Sequence, residues 1–214
     1  MNSPEAPCIY VLAGVNGAGK SSIGGATLRA FGADYYNPDE AARAFIAANP
    51  GLSQTDANGA AWQQGKKLLE RSIAERLHFA FESTLGANTI PNLLAGAATR
   101  GIEVRIWYVG LSGVELHLER VRARVRKGGH DIPEADIRRR YNHSRLNLIR
   151  LLPSLTALRL YDNSEEADPA KGRAPRPMLA LQMERGKIAG PADLRRTPEW
   201  AKPIIAAALK LQSR

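Results

Sequence analysis

The chain has 214 residues, of which 44% are hydrophobic and 24% charged, and a formal net charge of +9, which fits one globular domain and excludes a wholly disordered chain. No apolar run approaches the roughly 20 residues of a membrane-spanning helix, and the N-terminus lacks the basic and apolar regions of a secretory signal. The single cysteine excludes an internal disulfide framework, so we expect a cytoplasmic protein with no membrane partner.

Short apolar segments alternate with longer segments of helical periodicity, a pattern that predicts α/β architecture with βαβ units and a mainly parallel sheet. Predicted strands cover residues 8–13, 33–36, 79–81, 103–109 and 156–161. Predicted helices cover residues 20–30, 54–78, 90–100, 114–126, 132–151 and 200–211, with further helical sequence before a break at residues 49–51. A hairpin is predicted over residues 178–188, after an exposed loop over residues 168–177. Neither a fixed-period repeat nor a low-complexity linker is present, so residues 1–214 are predicted to form one domain.

The segment Gly14-Val-Asn-Gly-Ala-Gly-Lys-Ser21 matches the phosphate-binding loop pattern G-x4-G-K-[ST], with an apolar strand before it and a helical pattern after it. Glycines allow the backbone to turn its N–H groups toward a phosphate, and the helix N-terminus adds partial positive charge. Lys20 can reach the β- and γ-phosphates, and the Ser21 hydroxyl can ligate magnesium. The alternative is a glycine-rich turn that binds nothing. The predicted nucleotide-binding residues are Gly14, Asn16, Gly17, Ala18, Gly19, Lys20, Ser21 and Ser22.

Two carboxylates follow neighbouring strands, where ligands of open α/β sheets bind. Asp39 comes after the second predicted strand, and Glu82 ends the third. A carboxylate near magnesium-bound phosphates can orient or deprotonate an attacking hydroxyl. The alternatives are an N-cap role for Asp39, at a helix starting at Glu40, and a surface position for Glu82.

Positive charge is concentrated in residues 120–150, which contain ten Lys and Arg residues against three acidic ones, a net charge of +7. Two helical patterns flank Gly128-Gly129 there, and Asp131 is predicted to cap the second helix, with Glu134 reaching back to it. This composition is typical of a lid that closes over phosphates and supplies guanidinium groups. A solvated pair of charged helices is the simpler alternative. A nucleic-acid groove is less well supported, because Tyr141 is the only aromatic residue in the segment.

The ordered set of motifs resembles the zeta-toxin-like P-loop kinases, including small chromosomal bacterial members described as predicted kinases or ATPases. The resemblance extends from Tyr10 to about Leu160. It rests on residues 13–22, 37–42, 81–85 and 124–133, the last followed by residues 137–141.

The resemblance implies a kinase-type sheet with strand order 2-3-1-4-5, ATP as phosphoryl donor and Mg²⁺ as cofactor. By the same resemblance, Asp39 is the base that activates the acceptor hydroxyl, and Glu82 helps Ser21 to hold magnesium. Lid arginines of the family contact the γ-phosphate. The candidates in this chain are Arg120, Arg124 and either Arg139 or Arg140; we assign Arg124 and Arg140 to catalysis and Arg120 to the nucleotide.

Zeta toxins phosphorylate UDP-N-acetylglucosamine. The resemblance therefore predicts an ATP- and magnesium-dependent phosphotransferase acting on a hydroxyl of a small molecule, with that sugar nucleotide or a related one as the best guess. It also suggests an antitoxin-like inhibitor protein as a partner. The alternative, motivated by the +7 segment, is a nucleic-acid-associated ATPase or polynucleotide kinase.

Overall fold

The computed structural model describes residues 6–25, 35–165 and 177–213. Its strands are β1 (Cys8–Ala13), β2 (Tyr35–Tyr36), β3 (Phe79–Ser83), β4 (Glu103–Gly110), β5 (Ala157–Asp162), β6 (Met178–Glu184) and β7 (Lys187–Gly190). They form one sheet in the order β2-β3-β1-β4-β5-β6-β7. The first five strands in this order pair in parallel, and β6 and β7 extend the sheet in antiparallel fashion. The predicted α/β class, the strand order 2-3-1-4-5 and the C-terminal hairpin are therefore confirmed.

The helices flank this sheet and link its parallel strands. They are α1 (Ser21–Gly25), a short segment of π type, then α2 (Pro38–Ala48), α3 (Gln54–Glu75), α4 (Thr89–Thr99), α5 (Val114–Arg126), α6 (Glu134–Leu151) and α7 (Lys202–Gln212). Most predicted helices agree with these bounds to within a few residues. The predicted continuation of the first helix to residue 30, the start of the second strand at residues 33–34 and most of the loop over 168–177 lie outside the described residues. None of the described helices combines the length and apolar character that a membrane crossing requires.

The central strand β1 is buried on both faces, as expected for a parallel strand covered by helices. Ile9 and Val11 point into the main core, which α3, α4, α6 and α7 cover. Leu12 points to the opposite face and packs with Val109 and Ile23. This alternation fixes the register of β1, so the loop that follows Ala13 leaves the carboxyl edge of the sheet at a defined point.

The start of α6 differs from the prediction. Asp131 does not cap the helix, because its carboxylate accepts a hydrogen bond from the adjacent backbone amide, and the residue before α6 is Pro133, with no side-chain cap. Glu134 does not reach back. Its carboxylate binds Arg122 and Arg138 at 3.0 and 2.7 Å, and these charge-assisted contacts compete with capping.

Candidate active site

The loop between β1 and α1 is built around glycines that no other residue could replace. Gly17 and Gly19 have φ angles of +82° and +86°. A Cβ at Gly17 would lie 2.7 Å from the carbonyl oxygen of His117, and a Cβ at Gly19 would lie 2.6 Å from the amide of Asn163. The left-handed backbone and the close neighbours thus both require glycine.

Two side chains from distant parts of the chain hold this loop in place. His117 on α5 donates from Nδ1 to the backbone oxygen of Asn16 at 2.8 Å, and Asn163 after β5 donates to the oxygen of Ala18 at 2.9 Å. Both side chains are buried. The loop is therefore held in one conformation from both sides, which preorganises its backbone amides for an anion.

Lys20 follows the glycines in a half-buried position. Burial lowers the pKa of Lys20, and the nearby carboxylates of Glu82 and Asp39 act in the opposite direction. An incoming anion would stabilise the ammonium form, so the environment suits a lysine that binds phosphate.

Glu82 is buried, with 8% of its surface exposed. The alternative that Glu82 is an acid on the protein surface is therefore wrong. Its Oε1 atom accepts hydrogen bonds from Ser21 at 2.8 Å, from the Asn37 amide at 3.1 Å and from the Tyr35 hydroxyl. Three neutral donors thus converge on one carboxylate oxygen and fix its position beside the Ser21 hydroxyl.

Asp39 lies in the first turn of α2 but does not cap it. The cap is Asn37, whose side-chain oxygen accepts from the amides of Asp39 at 2.9 Å and Glu40 at 3.3 Å. The alternative that Asp39 serves as N-cap is therefore wrong, and its carboxylate is left for other contacts. It faces Arg124 at 3.7 Å and His130 at 4.0 Å, with 43% of the side chain exposed.

The lid arginines separate into two groups. Arg140 donates to the Asn16 side-chain oxygen at 2.9 Å. Arg124 lies 3.7 Å from Asp39 and donates to the carbonyl oxygen of His130. The Nε atom of Arg124 has no hydrogen-bond partner among the described residues. Arg120 lies beside Gly17 of the loop. Arg139 instead pairs with Asp136 at 2.8 Å on the surface, so of the two neighbours Arg140 is the one that faces the loop.

A second loop, residues 84–87 between β3 and α4, is held by one face of α6. Ser144 donates to the oxygen of Thr84 at 2.5 Å, and Asn147 donates to the oxygens of Leu85 at 2.8 Å and Ala87 at 3.2 Å. Leu85 takes a left-handed conformation with φ of +51° although its side chain is fully buried. Because Arg140, Ser144 and Asn147 lie on one face of α6, a single helix contacts both loops of the site.

A cavity of about 500 Å³ opens between these elements. Its walls come from the start of α2, from α3, from the loop 84–87 and from the lid, and Lys20, Asp39, Glu82 and Arg140 all line it. The phosphate-binding loop thus opens, at Asn16 and Lys20, into a cavity of a size that suits a small molecule.

The side chains also fit a nucleotide phosphate and a divalent cation. No cluster of three or more His, Cys, Asp and Glu side chains suited to a metal occurs in the described ranges. Ser21 and Glu82 offer two adjacent side-chain oxygens beside the loop, joined by a hydrogen bond of 2.8 Å. Magnesium is commonly held by one or two protein oxygens together with substrate phosphates. The Ser22 side chain lies outside what the structure describes.

The sequence analysis predicted no role for Tyr35, His117 or Asn163, nor for Asn37, although Asn37 begins the motif over residues 37–42. Asn37 and Asn163 each follow a strand at the carboxyl edge, and the same positional rule that found Glu82 could have found them. His117 carried no such signal, because its contact depends on how α5 packs against the loop.

Comparison with known proteins identifies relatives of this architecture. The profile of the family described as Zeta toxin matches residues 1–168. An uncharacterised protein of Haemophilus influenzae is 35% identical over 132 residues, which are 60% of this chain and 88% of that protein. A chain of the AvrRxo1-ORF1:-ORF2 complex with ATP superposes with a TM-score of 0.63 at 15% identity over 95% of this chain. A chain of the PezAT chromosomal toxin–antitoxin system of Streptococcus pneumoniae superposes with a TM-score of 0.56 at 14% identity, over 99% of this chain and 88% of that one.

The match to the AvrRxo1-ORF1:-ORF2 complex covers 64% of the length of its chain. At this level of identity the two structural likenesses establish the fold, and the family match rests on the sequence itself.

Proposed function

The chain belongs to the Zeta toxin family of P-loop kinases, and from this we propose that it transfers the γ-phosphoryl group of ATP to a hydroxyl of a small molecule. The observation that carries the proposal is the Ser21–Glu82 hydrogen bond, which lies between the phosphate-binding loop and a cavity lined by Asp39. The proximity of the loop to the cavity supports a donor and an acceptor that meet at one site.

On the donor side, the loop amides and Lys20 bind the phosphates of ATP. Ser21 and Glu82 would hold Mg²⁺. That ion, when bound, supplies positive charge to the phosphate oxygens. The Ser21 hydroxyl donates its hydrogen bond to Glu82, so the lone pairs of the Ser21 oxygen remain available for a cation.

On the acceptor side, Asp39 acts as general base. It takes the proton of the acceptor hydroxyl, whose oxygen then bonds to the γ-phosphorus of ATP while the bond to the β–γ bridging oxygen breaks and ADP leaves. Asp39 is suited to this because the Asn37 side chain accepts the hydrogen bonds of the first α2 amides, so the Asp39 carboxylate does not have to cap the helix. Arg124 and Arg140 offset the negative charge that spreads over the moving phosphoryl group.

For the acceptor we propose UDP-N-acetylglucosamine or a related sugar nucleotide. The resemblance of the motifs to zeta toxins supports this choice, and a cavity of about 500 Å³ suits a ligand of that size. We also propose an inhibitor protein as partner, because the structures with this fold include the PezAT toxin–antitoxin system and the AvrRxo1-ORF1:-ORF2 complex.

The test incubates the purified protein with magnesium, ATP and a bacterial metabolite extract, and follows metabolites that gain one phosphoryl group by mass spectrometry. Lys20→Ala should abolish transfer because it removes the cation on the phosphates. Asp39→Asn should lower turnover by about 10²- to 10⁴-fold, the usual contribution of a general base, while ATP binds within about twofold of wild type.

Asp193→Asn is the matched control, because this exposed aspartate pairs with Arg195 outside the site. If Asp39→Asn lost ATP affinity and turnover equally, Asp39 would belong to the donor side and its role as base would be wrong. A phosphorylated metabolite other than a sugar nucleotide would keep the kinase and replace the acceptor.

A further inference from the structure

We propose that Trp200 is a positioning residue of the nucleotide site, through which the C-terminal segment of residues 178–213 sets the conformation of the phosphate-binding loop. The family profile matches residues 1–168, so this segment lies outside the matched part of the chain. The inference rests on the proposed function only in that the loop binds ATP, and it holds for any acceptor.

Trp200 lies just before α7 and packs against the carboxyl edge of the sheet, at the end of β4. Its indole is buried, with 4% of its surface exposed, and it covers the backbone of Gly110. A Cβ at Gly110 would lie 2.6 Å from Cζ2 of the indole, so glycine is required where the ring meets the strand. Tyr108, two residues earlier on the same face of β4, stacks with the indole at a centroid distance of 6.2 Å. These contacts fix the position of the indole.

The indole N–H joins Trp200 to the end of β5. Its Nε1 atom donates to Oδ1 of Asp162 at 2.9 Å, and the Ser164 hydroxyl donates to the same oxygen at 2.5 Å. Ser164 in turn accepts a hydrogen bond of 2.7 Å from the backbone amide of Ser112, in the loop that follows β4. Together these hydrogen bonds hold the chain that leaves β5 against the chain that leaves β4.

Asn163 directly follows Asp162 and connects this corner of the sheet to the phosphate-binding loop. Its backbone amide donates to the carbonyl oxygen of Gly110 at 3.0 Å, and Gly110 is the residue that the indole covers. Its buried side-chain amide donates to the oxygen of Ala18 at 2.9 Å. Trp200 therefore contacts the residues on both sides of the Asn163 backbone bond, and Asn163 contacts the loop.

The hydrogen bond to Ala18 determines where the next amide of the loop points. The Ala18 carbonyl and the Gly19 N–H belong to one planar peptide unit, so a bond that fixes the carbonyl also fixes the direction of the N–H. Loop amides of this kind bind the phosphates of a nucleotide. A shift of Asn163 should therefore turn this amide and weaken ATP binding, and Trp200 limits that shift.

The experiment measures the dissociation constant of a non-hydrolysable ATP analogue with magnesium, by isothermal titration calorimetry. Trp200→Phe keeps an aromatic ring on Gly110 and removes the indole N–H, and it should weaken binding by about fivefold, the lower end of coupling between linked sites. Asp162→Ala, which removes the acceptor of the same hydrogen bond, should weaken binding to a similar extent. Asn163→Ala should weaken it by about tenfold or more, because the loop then loses its anchor.

The double variant of Trp200→Phe and Asn163→Ala separates positioning from a general loss of stability. If Trp200 acts through Asn163, its substitution has little left to disturb once Asn163 is gone. The double variant should therefore bind the analogue within about twofold of Asn163→Ala alone.

Leu211→Ala is the matched control, because Leu211 belongs to the same C-terminal segment and packs against the main core. It lines a surface depression together with Glu103 and Thr156, where β4 and β5 begin, at the opposite edge of the sheet. Leu211→Ala should lower the melting temperature, as Trp200→Phe does, while the analogue binds within about twofold of wild type.

Unchanged affinity in Trp200→Phe would overturn the inference, as would an equal loss of affinity in Leu211→Ala. So would a double variant in which the losses of the two single variants multiply, because Trp200 and Asn163 would then act independently. These readouts do not require phosphoryl transfer. A protein that binds the analogue as expected but phosphorylates no metabolite would lose the proposed function and keep the role of Trp200.

Discussion

His117 is a buried histidine that holds the phosphate-binding loop while remaining uncharged. Burial lowers the pKa of His117 to about 4, with smaller contributions from Lys20 and Arg120, although the hydrogen bond to the Asn16 carbonyl favours the charged form. The unfolded chain protonates this histidine near pH 6.5, whereas the folded protein does so only near pH 4. Between these values the unfolded state binds more protons, so stability falls as the pH falls.

We expect the free energy of unfolding to decrease by about 2 kcal/mol between pH 7.5 and pH 5 because of His117 alone. His117→Asn keeps a donor for the Asn16 carbonyl and cannot be protonated, so urea unfolding should show a correspondingly smaller pH dependence. Burial also lowers the pKa of His130, so part of the dependence should remain. His143→Asn, at an exposed position on α6, should leave the dependence unchanged, and an unchanged slope in His117→Asn would contradict the assignment.

The local sequence was enough to name Lys20, Ser21 and Glu82 as candidate site residues, because each belongs to a motif or a strand end that can be recognised within a few residues. The strand-end rule could have marked Asn163 as a candidate, but the partners of the residues that hold these groups could not be predicted in the same way. The contact between Asn163 and the oxygen of Ala18 spans 145 residues of sequence, and that between Asn147 and the oxygen of Leu85 spans 62. Such contacts depend on how distant elements meet, which periodicity does not record.

Among the elements, α6 has a wider role than the lid function predicted for it, because it contacts both loops of the site. Its first half carries Arg140 to the phosphate-binding loop, and its second half carries Ser144 and Asn147 to the loop 84–87. Gly86 permits this, because a Cβ there would lie 2.6 Å from the side chain of Arg140. The two loops of the site are thus positioned relative to each other by one rigid helix.

Asn147→Asp should disturb the acceptor side of the site through this helix. The change replaces the amide that donates to Leu85 and Ala87 with an acceptor, so two carbonyl oxygens lose their donor. We expect the free energy of unfolding to fall by about 2–3 kcal/mol, the usual cost of unsatisfied buried groups, and the KM for the acceptor to rise more than the KM for ATP. Asn142→Asp, at an exposed position of the same helix, is the control. Equal changes in both KM values would show a general loss of structure.

Element positions were predicted well from periodicity, because apolar strands and amphipathic helices differ in repeat. The helix starts were predicted less well. Residues 131–134 match the capping pattern, but Glu134 binds Arg138 one turn later on the same helix and Arg122 on α5 instead of the backbone amide of Asp131. Capping is decided by competition for the same carboxylate, and the competitor from α5 becomes visible only in the fold.

For the whole molecule, the charge of residues 120–150 matters less than its net value of +7 indicates. Five of its arginines lie within 4 Å of a carboxylate, including Glu115 and Asp39 from outside the segment. They are Arg122, Arg124, Arg138, Arg139 and Arg140. Glu134 and Asp136 are already counted in the +7, and the two carboxylates from outside lower the local net charge to +5. Each of the five guanidinium groups is also held in an ion pair, which a nucleic-acid phosphate would have to displace.

We accordingly expect weak binding of single-stranded RNA and DNA. In titrations of labelled oligonucleotides between about 50 and 200 mM KCl, the logarithmic slope of affinity against salt should stay below about 2, which corresponds to no more than about three phosphates. A slope of about 4 or more, with tight binding, would favour the polynucleotide kinase or nucleic-acid-associated ATPase over the small-molecule kinase. The exposed arginines Arg122 and Arg139 would then be the first to replace with glutamine.

The left-handed backbone at Leu85 has a consequence for how related sequences diverge. Leu85→Gly would remove the backbone cost but would leave a cavity where a fully buried side chain packs, and replacing Asn147 alone would leave the same turn without its anchor. Each of these two substitutions alone is therefore expected to destabilise the protein. Positions 85 and 147 should therefore covary in an alignment of close relatives: a lineage that loses the asparagine should carry glycine in the turn, and one that keeps leucine should keep the asparagine.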